Sequence, residues 1–205
     1  MKGEIIMVTG LTPTTFKNLQ LNAGVFLKGF EYDSATDADA LVDLVLAALE
    51  SREGVLGATR GGGTFTCTPT TRNIEADGKR SEFVGSTVNN GWTVRLSTTL
   101  LEITPENFVL ALPGAEISEN GNVKTVTVRT EIQDADYIPT LCWIGDTSEG
   151  LVLIELDNAL NIDGASFTFT DRGEGTLPVN FMAHQADLTN QSEAPCRIVF
   201  FSNAA

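Results

Sequence analysis

The sequence predicts a mainly β fold flanked by one principal α-helix. Short runs in which apolar and polar residues alternate recur along the chain, and turn dipeptides such as Asn120-Gly121 and Asp163-Gly164 separate them. Only residues 36–52 carry apolar side chains at helical spacing. The chain of 205 residues contains 19 glycines and 11 phenylalanines. About nine strands at this spacing are typical of a β-sandwich or barrel.

The net charge indicates which binding partners are disfavoured, and the cysteines indicate the compartment in which the protein is made. A formal net charge of −14, with 13 Lys and Arg residues against 27 Asp and Glu residues, disfavours adhesion to DNA or anionic membranes. No apolar run approaches the roughly 18 residues of a transmembrane helix. Cys67, Cys142 and Cys196 lie far apart in strand-like runs. We therefore expect small buried side chains, no disulfide framework, and synthesis in a cytoplasm.

The N-terminal part divides into an arm and the start of a domain. Residues 1–15 show no sustained period, so we interpret them as an N-terminal arm and residues 16–205 as a single domain. Residues 16–30 alternate and predict a strand. One face is aliphatic, and the other is formed by neutral amides, namely Asn18, Gln20 and Asn22.

Residues 36–52 form the only strong helix pattern. Thr36 or Asp37 is the predicted cap, and acidic residues in the first turns suit the helix dipole. Val42 and Leu46 broaden the apolar stripe beyond what one sheet face requires. Two interpretations stay open: the helix packs in a groove of the sheet, or its second apolar flank contacts a neighbouring subunit.

The stretch 57–85 predicts a surface hairpin. Gly61, Gly62 and Gly63 allow positive φ or a close approach to another chain. The alternation that follows predicts a strand, and Pro69 places that strand at an edge or ends it. Asp77-Gly78 is a strong turn signal. We interpret this hairpin as an element that contacts a partner.

The rest of the chain predicts one short helix and further strands. Thr104-Pro105 marks a helix start, and Pro113-Gly114 ends that helix. Strands are predicted around Trp92–Ser97, Val126–Val128, Ile138–Ile144, Leu151–Leu156, Phe167–Phe169, Leu177–Phe181 and Ile198–Phe201.

Signals for catalysis or metal binding are weak. His184 is the only histidine and lies in a strand pattern, which favours a structural role. The nucleophile elbow, the phosphate-binding loop and the metalloprotease motif are missing from the sequence. Asp134-x-Asp136 and Asn161-x-Asp163-Gly164 do not continue into a calcium loop. Paired glycosidase carboxylates are disfavoured by only two Trp and two Tyr residues. We expect neither an enzyme nor a bound cofactor or metal.

Residues 57–112 carry a family resemblance. The string GATRGGGTFTCTPTTRNIEADGKRSEFVG, followed by GWTVRLSTTLLEITPENFVLAL, resembles the major tail (tail tube) proteins of long-tailed bacteriophages and related prophages. The shared features are a glycine-rich turn before a Thr/Phe strand, the segment Arg72–Gly78 leading to Gly85, and the run Leu101–Thr104 before a short helix. They cover about a quarter of the chain.

The resemblance implies a fold and an assembly. Members fold as a β-sandwich or half-barrel flanked by a helix, and they form hexameric rings whose inner strands complete one barrel across subunits. Stacked rings make a hollow conduit for the genome, assembled around a tape-measure protein and completed by tail terminator and tail-tip proteins. A long loop and the termini reach adjacent rings. DNA passes without specific binding, and no membrane is involved. The protein would be assembled in the host bacterial cytoplasm and lie in the virion tail.

Two sets of residues are candidates within such an assembly. The candidate subunit contacts are Arg60, Gly61, Gly62, Gly63, Asp77, Gly78, Val42 and Leu46. The candidate lumen-facing residues are Asn18, Gln20 and Asn22. The alternative is a β-sandwich binding module of a tail-tip or adhesin protein, which would require a discrete ligand site lined by aromatic residues.

Overall fold

The computed structural model describes residues 19–20, 22–33, 36–189 and 191–202. The predicted arm at 1–15 and the candidate Asn18 lie outside these residues. The described part is mainly β. Its strands are β1 (Val25–Lys28), β2 (Thr59–Asn73), β3 (Thr87–Leu100), β4 (Ala115–Asn120), β5 (Val123–Val128), β6 (Ile138–Thr147), β7 (Gly150–Asn161), β8 (Leu177–Met182) and β9 (Cys196–Ser202). Its helices are α1 (Ala38–Ser51), α2 (Pro105–Ala111) and a 3-10 turn at Asp134–Asp136.

One antiparallel sheet of seven strands dominates the structure. Its order is β1-β6-β7-β8-β3-β2, and β9 also pairs with β7. On one edge β7 pairs with β6 over most of its length. On its other edge β7 pairs first with β9, from Gly150 to Leu156, and then with β8 at Leu160 and Asn161. The sheet therefore divides at β7 into two halves, β1-β6-β7-β9 and β8-β3-β2.

The two halves enclose the main core. Phe26 of β1, Leu141 of β6 and Leu156 of β7 belong to the same buried cluster as Val94 of β3 and Phe181 of β8. At about 1.5 to 3 kcal/mol for each large apolar side chain removed from water, this cluster is the main stabilising contribution. The β4–β5 hairpin forms a separate two-stranded sheet beside α2.

Helix α1 lies on the outer face of the first half. Leu27, Cys142, Ile144 and Leu153 form a second buried cluster, against which Val45 and Ala48 of α1 pack. Helix α1 confirms the helix predicted at 36–52. The predicted cap at Asp37 is also present, because its side chain accepts a 2.8 Å hydrogen bond from the backbone N–H of Ala40. The second helix is also confirmed, with Thr104 as its cap.

Several strand predictions were wrong in extent. Among the described residues of the strand expected at 16–30, the strand is limited to Val25–Lys28, with an isolated bridge at Gln20, because Gly24 and Gly29 both adopt positive φ and break the extended chain. Strand β2 continues through Pro69 to Asn73. No strand other than β3 pairs with β2 in the part of the chain that the structure describes, which agrees with the edge placement of Pro69. Around Phe167–Phe169 there is only an isolated bridge between Thr168 and Thr176.

Strand β4 was not predicted, for a physical reason. Its sequence AEISEN contains one strong strand former, Ile117, and five of its six side chains are at least partly exposed. The partner β5, with Thr and Val residues, supplies the pairing from Ala115↔Val128 to Asn120↔Val123. The cross-strand partner, and not the local propensity, determines this strand.

Cys142 gives a prediction for the pH dependence of stability. Burial, reinforced by the negative charge of Glu155, raises the pKa of the Cys142 thiol from 9.0 to about 12. The unfolded chain therefore loses this proton first. The stabilisation is complete below pH 9 and decreases as the pH rises from 9 towards 12, by about 1.4 kcal/mol per pH unit.

We expect the free energy of unfolding, measured by urea denaturation between pH 8 and 10.5, to fall more steeply for the wild type than for Cys142→Ala. The alanine variant removes only this titration, so other groups that ionise in the range cancel in the comparison. Parallel curves for the two proteins would show that Cys142 ionises equally in the native and unfolded states.

Candidate functional site

The glycine run forms a bulge in β2. Thr59 pairs with Leu100, and the next paired residue, Gly63, is opposite Thr98, so residues 60–62 face a single residue of β3. Gly61 and Gly62 have φ of +77° and +72°. The hydroxyl of Thr98 donates a 2.7 Å hydrogen bond to the carbonyl oxygen of Gly62. The predicted positive φ is confirmed at these two glycines.

Gly63 has a different role within the same run. A Cβ atom there would lie 2.6 Å from Cζ of Phe26 and 2.9 Å from the carbonyl oxygen of Ser97. The close approach that this glycine permits is therefore to the core of its own chain. At the start of the bulge, Arg60 pairs with Glu174, and this hydrogen bond lowers the pKa of the Glu174 carboxyl.

The predicted Asp77-Gly78 turn is confirmed at the end of the hairpin. The backbone N–H of Lys79 donates a 3.0 Å hydrogen bond to the carbonyl oxygen of Ala76, and Gly78 has a φ of +84°. Lys79 Nζ donates 2.8 Å hydrogen bonds to the carbonyl oxygen of Ile74 and to Glu82. The bond to Lys79 lowers the pKa of the Glu82 carboxyl. These bonds order the turn.

The turn belongs to a long projection, the distal hairpin, which comprises residues 68–92. β2 and β3 pair here from Pro69↔Trp92 to Asn73↔Thr87, and among the described residues no third strand pairs with this part. At its tip Phe83 is 63% exposed and Val84 is fully exposed. Large apolar side chains in this position predict a contact with another surface.

One face of the second half-sheet is lined by neutral polar groups. Thr64 of β2 pairs with Ser97 of β3, and Ser97 pairs with Asn180 of β8. The side chains that adjoin these three along each strand are more deeply buried. Since successive side chains of a strand point to opposite faces, these side chains point away from the core. We name this surface the hydroxyl face; its members are Thr64, Thr66, Thr68, Thr93, Ser97, Thr99 and Asn180. Pro178, Met182 and one charged residue, Arg95, lie among them.

The outward flank of α1 forms an apolar groove. Val42 and Leu46 are 39% and 52% exposed, although Leu41 on the same helix is fully buried. Together with Leu49 they line a cavity of about 550 Å³, whose other wall contains Val25, Ile144 and Leu151. We call this cavity the α1 groove. The broad stripe thus has one flank packed on the sheet and a second flank that no described element covers.

The candidate lumen-facing amides lie elsewhere. Gln20 forms an isolated bridge with Thr147, and Asn22 donates a 2.6 Å hydrogen bond to Asp146. Both lie beside the end of β6 and outside the hydroxyl face. Asn22 lines the α1 groove, and both amides line a second cavity, of about 320 Å³, together with Gly61, Gly62 and Gly63. The strand that would have aligned them begins only at Val25.

The groups considered for chemistry have structural surroundings. Nδ1 of His184 lies 3.1 Å from the carbonyl oxygen of Asn158, and its ring packs edge-on against Tyr137. Within the described part of the chain, no group of three or more His, Cys, Asp or Glu residues could hold a metal ion. The sequence also did not reveal that Cys67 and Cys196 meet. Burial, then the charge of Cys67 and a hydrogen bond to its side chain, raise the pKa of the Cys196 thiol to about 11.

The sequence signals recovered part of this arrangement. The glycine run, the Asp-Gly turn and the flank of α1 lie on exposed parts of the molecule. They do not form one contiguous site: the glycines lie over Phe26, the turn is at the distal tip and the flank faces the opposite side of β6. The exposed Phe83 and Val84, and the hydroxyl face, were missed. The Thr-x-Thr-x-Thr pattern at 64–68 was the available signal for that face.

Comparison with known proteins gave no assignment. Neither a protein-family model nor a curated protein matches the sequence. None of the helices in the described ranges is long and apolar enough to cross a membrane.

The two kinds of glycine in the run give a second prediction. We expect Gly63→Ala to lower the free energy of unfolding more than Gly61→Ala. The first adds a methyl group against Phe26 and the Ser97 carbonyl, whereas the second adds one to open space at positive φ. Gly61→Ala incurs only the cost of positive φ, about 1 to 2 kcal/mol. Gly63 does not have positive φ, and overpacking against a backbone carbonyl costs up to about 3 kcal/mol there. Chemical denaturation of both variants measures the difference; equal losses would contradict the close approach at Gly63.

Proposed function

We propose that this protein is a structural subunit of a phage tail tube, in which copies form rings that stack into a hollow conduit for DNA. The observation that carries the proposal is the distal hairpin. It projects from the fold and presents Phe83 and Val84 to solvent without a partner among the described residues. An ordered hairpin with an apolar tip suits a protein whose partner is another molecule. The resemblance at 57–112 includes this same hairpin.

The hydroxyl face supports a role as the lining of the conduit. Its named members are neutral hydroxyls and an amide, among which lie Pro178, Met182 and one cation, Arg95. Asn180 donates a 2.7 Å hydrogen bond to the carboxylate of Asp163 beside the face. Phosphate binding requires clusters of Lys and Arg, so a lining of this kind lets DNA pass without holding it. We assign the hydroxyl face, in place of Gln20 and Asn22, to the lumen. The helix-covered half would then form the outside of the tube.

The open strand edges support closure of a ring. Within the described ranges, β2 pairs with β3 alone and lies at one edge of the sheet. An unpaired edge exposes a row of backbone donors and acceptors, and pairing with the next subunit would satisfy them. A barrel completed across subunits removes such edges. The resemblance alone suggests the remaining parts of the proposal. These are the hexameric ring, the tape-measure protein, the terminator and tip proteins, and the location in the virion tail.

The proposal predicts concentration-dependent self-association that needs the distal hairpin. In a shortened variant, an Asn-Gly turn replaces residues 71–90 and connects Thr70 to Gly91, which are paired neighbours. We expect the wild type to sediment as large oligomers in analytical ultracentrifugation and the shortened variant to remain monomeric, because the variant keeps the core but loses the tip. Circular dichroism establishes that the variant is folded.

A control variant tests whether the loss of any exposed apolar side chain abolishes self-association. Val123 is 62% exposed on the β4–β5 hairpin, and Val123→Ser should assemble like the wild type. A wild type that stays monomeric at every concentration would overturn the proposed function. A shortened variant that assembles normally would show that the distal hairpin is not needed for self-association.

A further inference from the structure

The α1 groove has the shape and surface of a receptor for a small apolar group. Its helix wall consists of Val42, Leu46 and Leu49, which are 39%, 52% and 41% exposed. Its sheet wall contains Ile144 and Leu151, and the cavity between them has a volume of about 550 Å³. A cavity of this size is large enough for two side chains. Neither wall is covered by another described element.

The rim of the groove is acidic. Asp39 precedes Val42 by three positions, and Glu50 follows Leu46 by four, so both carboxylates lie beside the exposed stripe. Asp146 lies on the sheet side. Helix α1 contains no Lys or Arg between Ala38 and Ser51. The partner that this groove accepts is therefore apolar, with a positive charge beside the apolar part.

The tip of the distal hairpin has this chemistry. Phe83 and Val84 are adjacent and exposed. Arg80, three residues before Phe83, is exposed, and no carboxylate of the described residues pairs with it. Lys79, its neighbour, already pairs with Glu82. Arg80 is thus an available cation close in sequence to two exposed apolar side chains. The same loop also carries Glu75, Asp77 and Glu82, of which Glu82 pairs with Lys79.

The groove and the base of the distal hairpin lie on opposite faces of the first half-sheet. The groove is lined by residues of β1, β6 and β7 on the face that α1 covers. At the base of the hairpin, Cys67 packs with Cys196 of β9 against the main core on the other face. Two complementary surfaces at different places on one molecule make a head-to-tail contact, which closes into rings or propagates as a filament.

We propose that the tip of the distal hairpin of one copy docks in the α1 groove of the next copy. Phe83 and Val84 enter the apolar cavity, and Arg80 pairs with Glu50 at its rim. This proposal rests on the proposed function and names its contact: the occupant of the groove is a second copy of this chain. It assigns the open flank of α1, with Val42 and Leu46, to a subunit contact.

Site-specific photo-crosslinking tests the contact directly. Benzoylphenylalanine replaces Val84 in an isotopically labelled chain, which is mixed with unlabelled wild type, assembled and irradiated. We expect intermolecular adducts between the labelled tip and an unlabelled peptide that contains α1. The same probe at Val123 is the control and should give no α1 adduct. Adducts at another surface, or none, in an intact assembly would overturn the docking proposal alone, whereas a wild type that never associates would overturn the proposed function as well.

A charge exchange gives an independent measurement. Arg80→Glu should weaken self-association about fivefold, because it places like charges together at an exposed pair. Glu50→Arg should weaken it similarly, and it does not harm the helix, since a cation near the C-terminal end suits the dipole. The double variant should recover wild-type association in sedimentation velocity. A double variant that is no better than either single one would contradict the Arg80–Glu50 pair.

Discussion

The fold depends on the way in which β7 shares one of its edges between two partners. β9 pairs with the first part of β7, and β8 pairs with its last two residues. Because both strands use the same edge of β7, the sheet cannot continue flat. β9 remains in the half that contains β6, whereas β8, with β3 and β2, folds over to cover the core. This division produces the two surfaces on which the proposed function rests, a half covered by α1 and a half with a hydroxyl face.

Three buried polar side chains secure the places where elements meet. Asn161 donates hydrogen bonds of 2.6 and 2.9 Å to the carbonyl oxygens of Ala111 and Gly164, and accepts one from the backbone of Asn180. Asn107 donates to the carbonyl oxygens of Leu56 and Glu102. Glu155 is buried between Arg197 and the hydroxyl of Tyr32. An unsatisfied buried polar group costs about 1 to 3 kcal/mol, so these bonds favour one arrangement of the loops and strands.

Local sequence signals predicted the elements whose cause is local. Asp37 and Thr104 accept the cap hydrogen bonds, and Asp77-Gly78 forms its turn, since each depends on a few neighbouring residues. In the described part of 16–30 the strand was overestimated, because alternation continues through Gly24, whose positive φ a sequence pattern does not reveal. The meeting of Cys67 with Cys196, the branch at β7 and the α1 groove depend on pairing between distant strands. No periodicity along one segment contains that information.

The central claim is that copies of this chain assemble into a hollow tube with the hydroxyl face on the inside. The proposed arrangement would give a role to the neutral polar sheet face, the apolar groove and the projecting apolar tip of an acidic chain. Cryo-electron microscopy of the purified, concentrated protein tests the claim most directly. The account predicts stacked rings around a lumen lined by Thr64, Ser97 and Asn180, with α1 outside. Monodisperse single particles, or an assembly in which α1 lines the lumen, would contradict it.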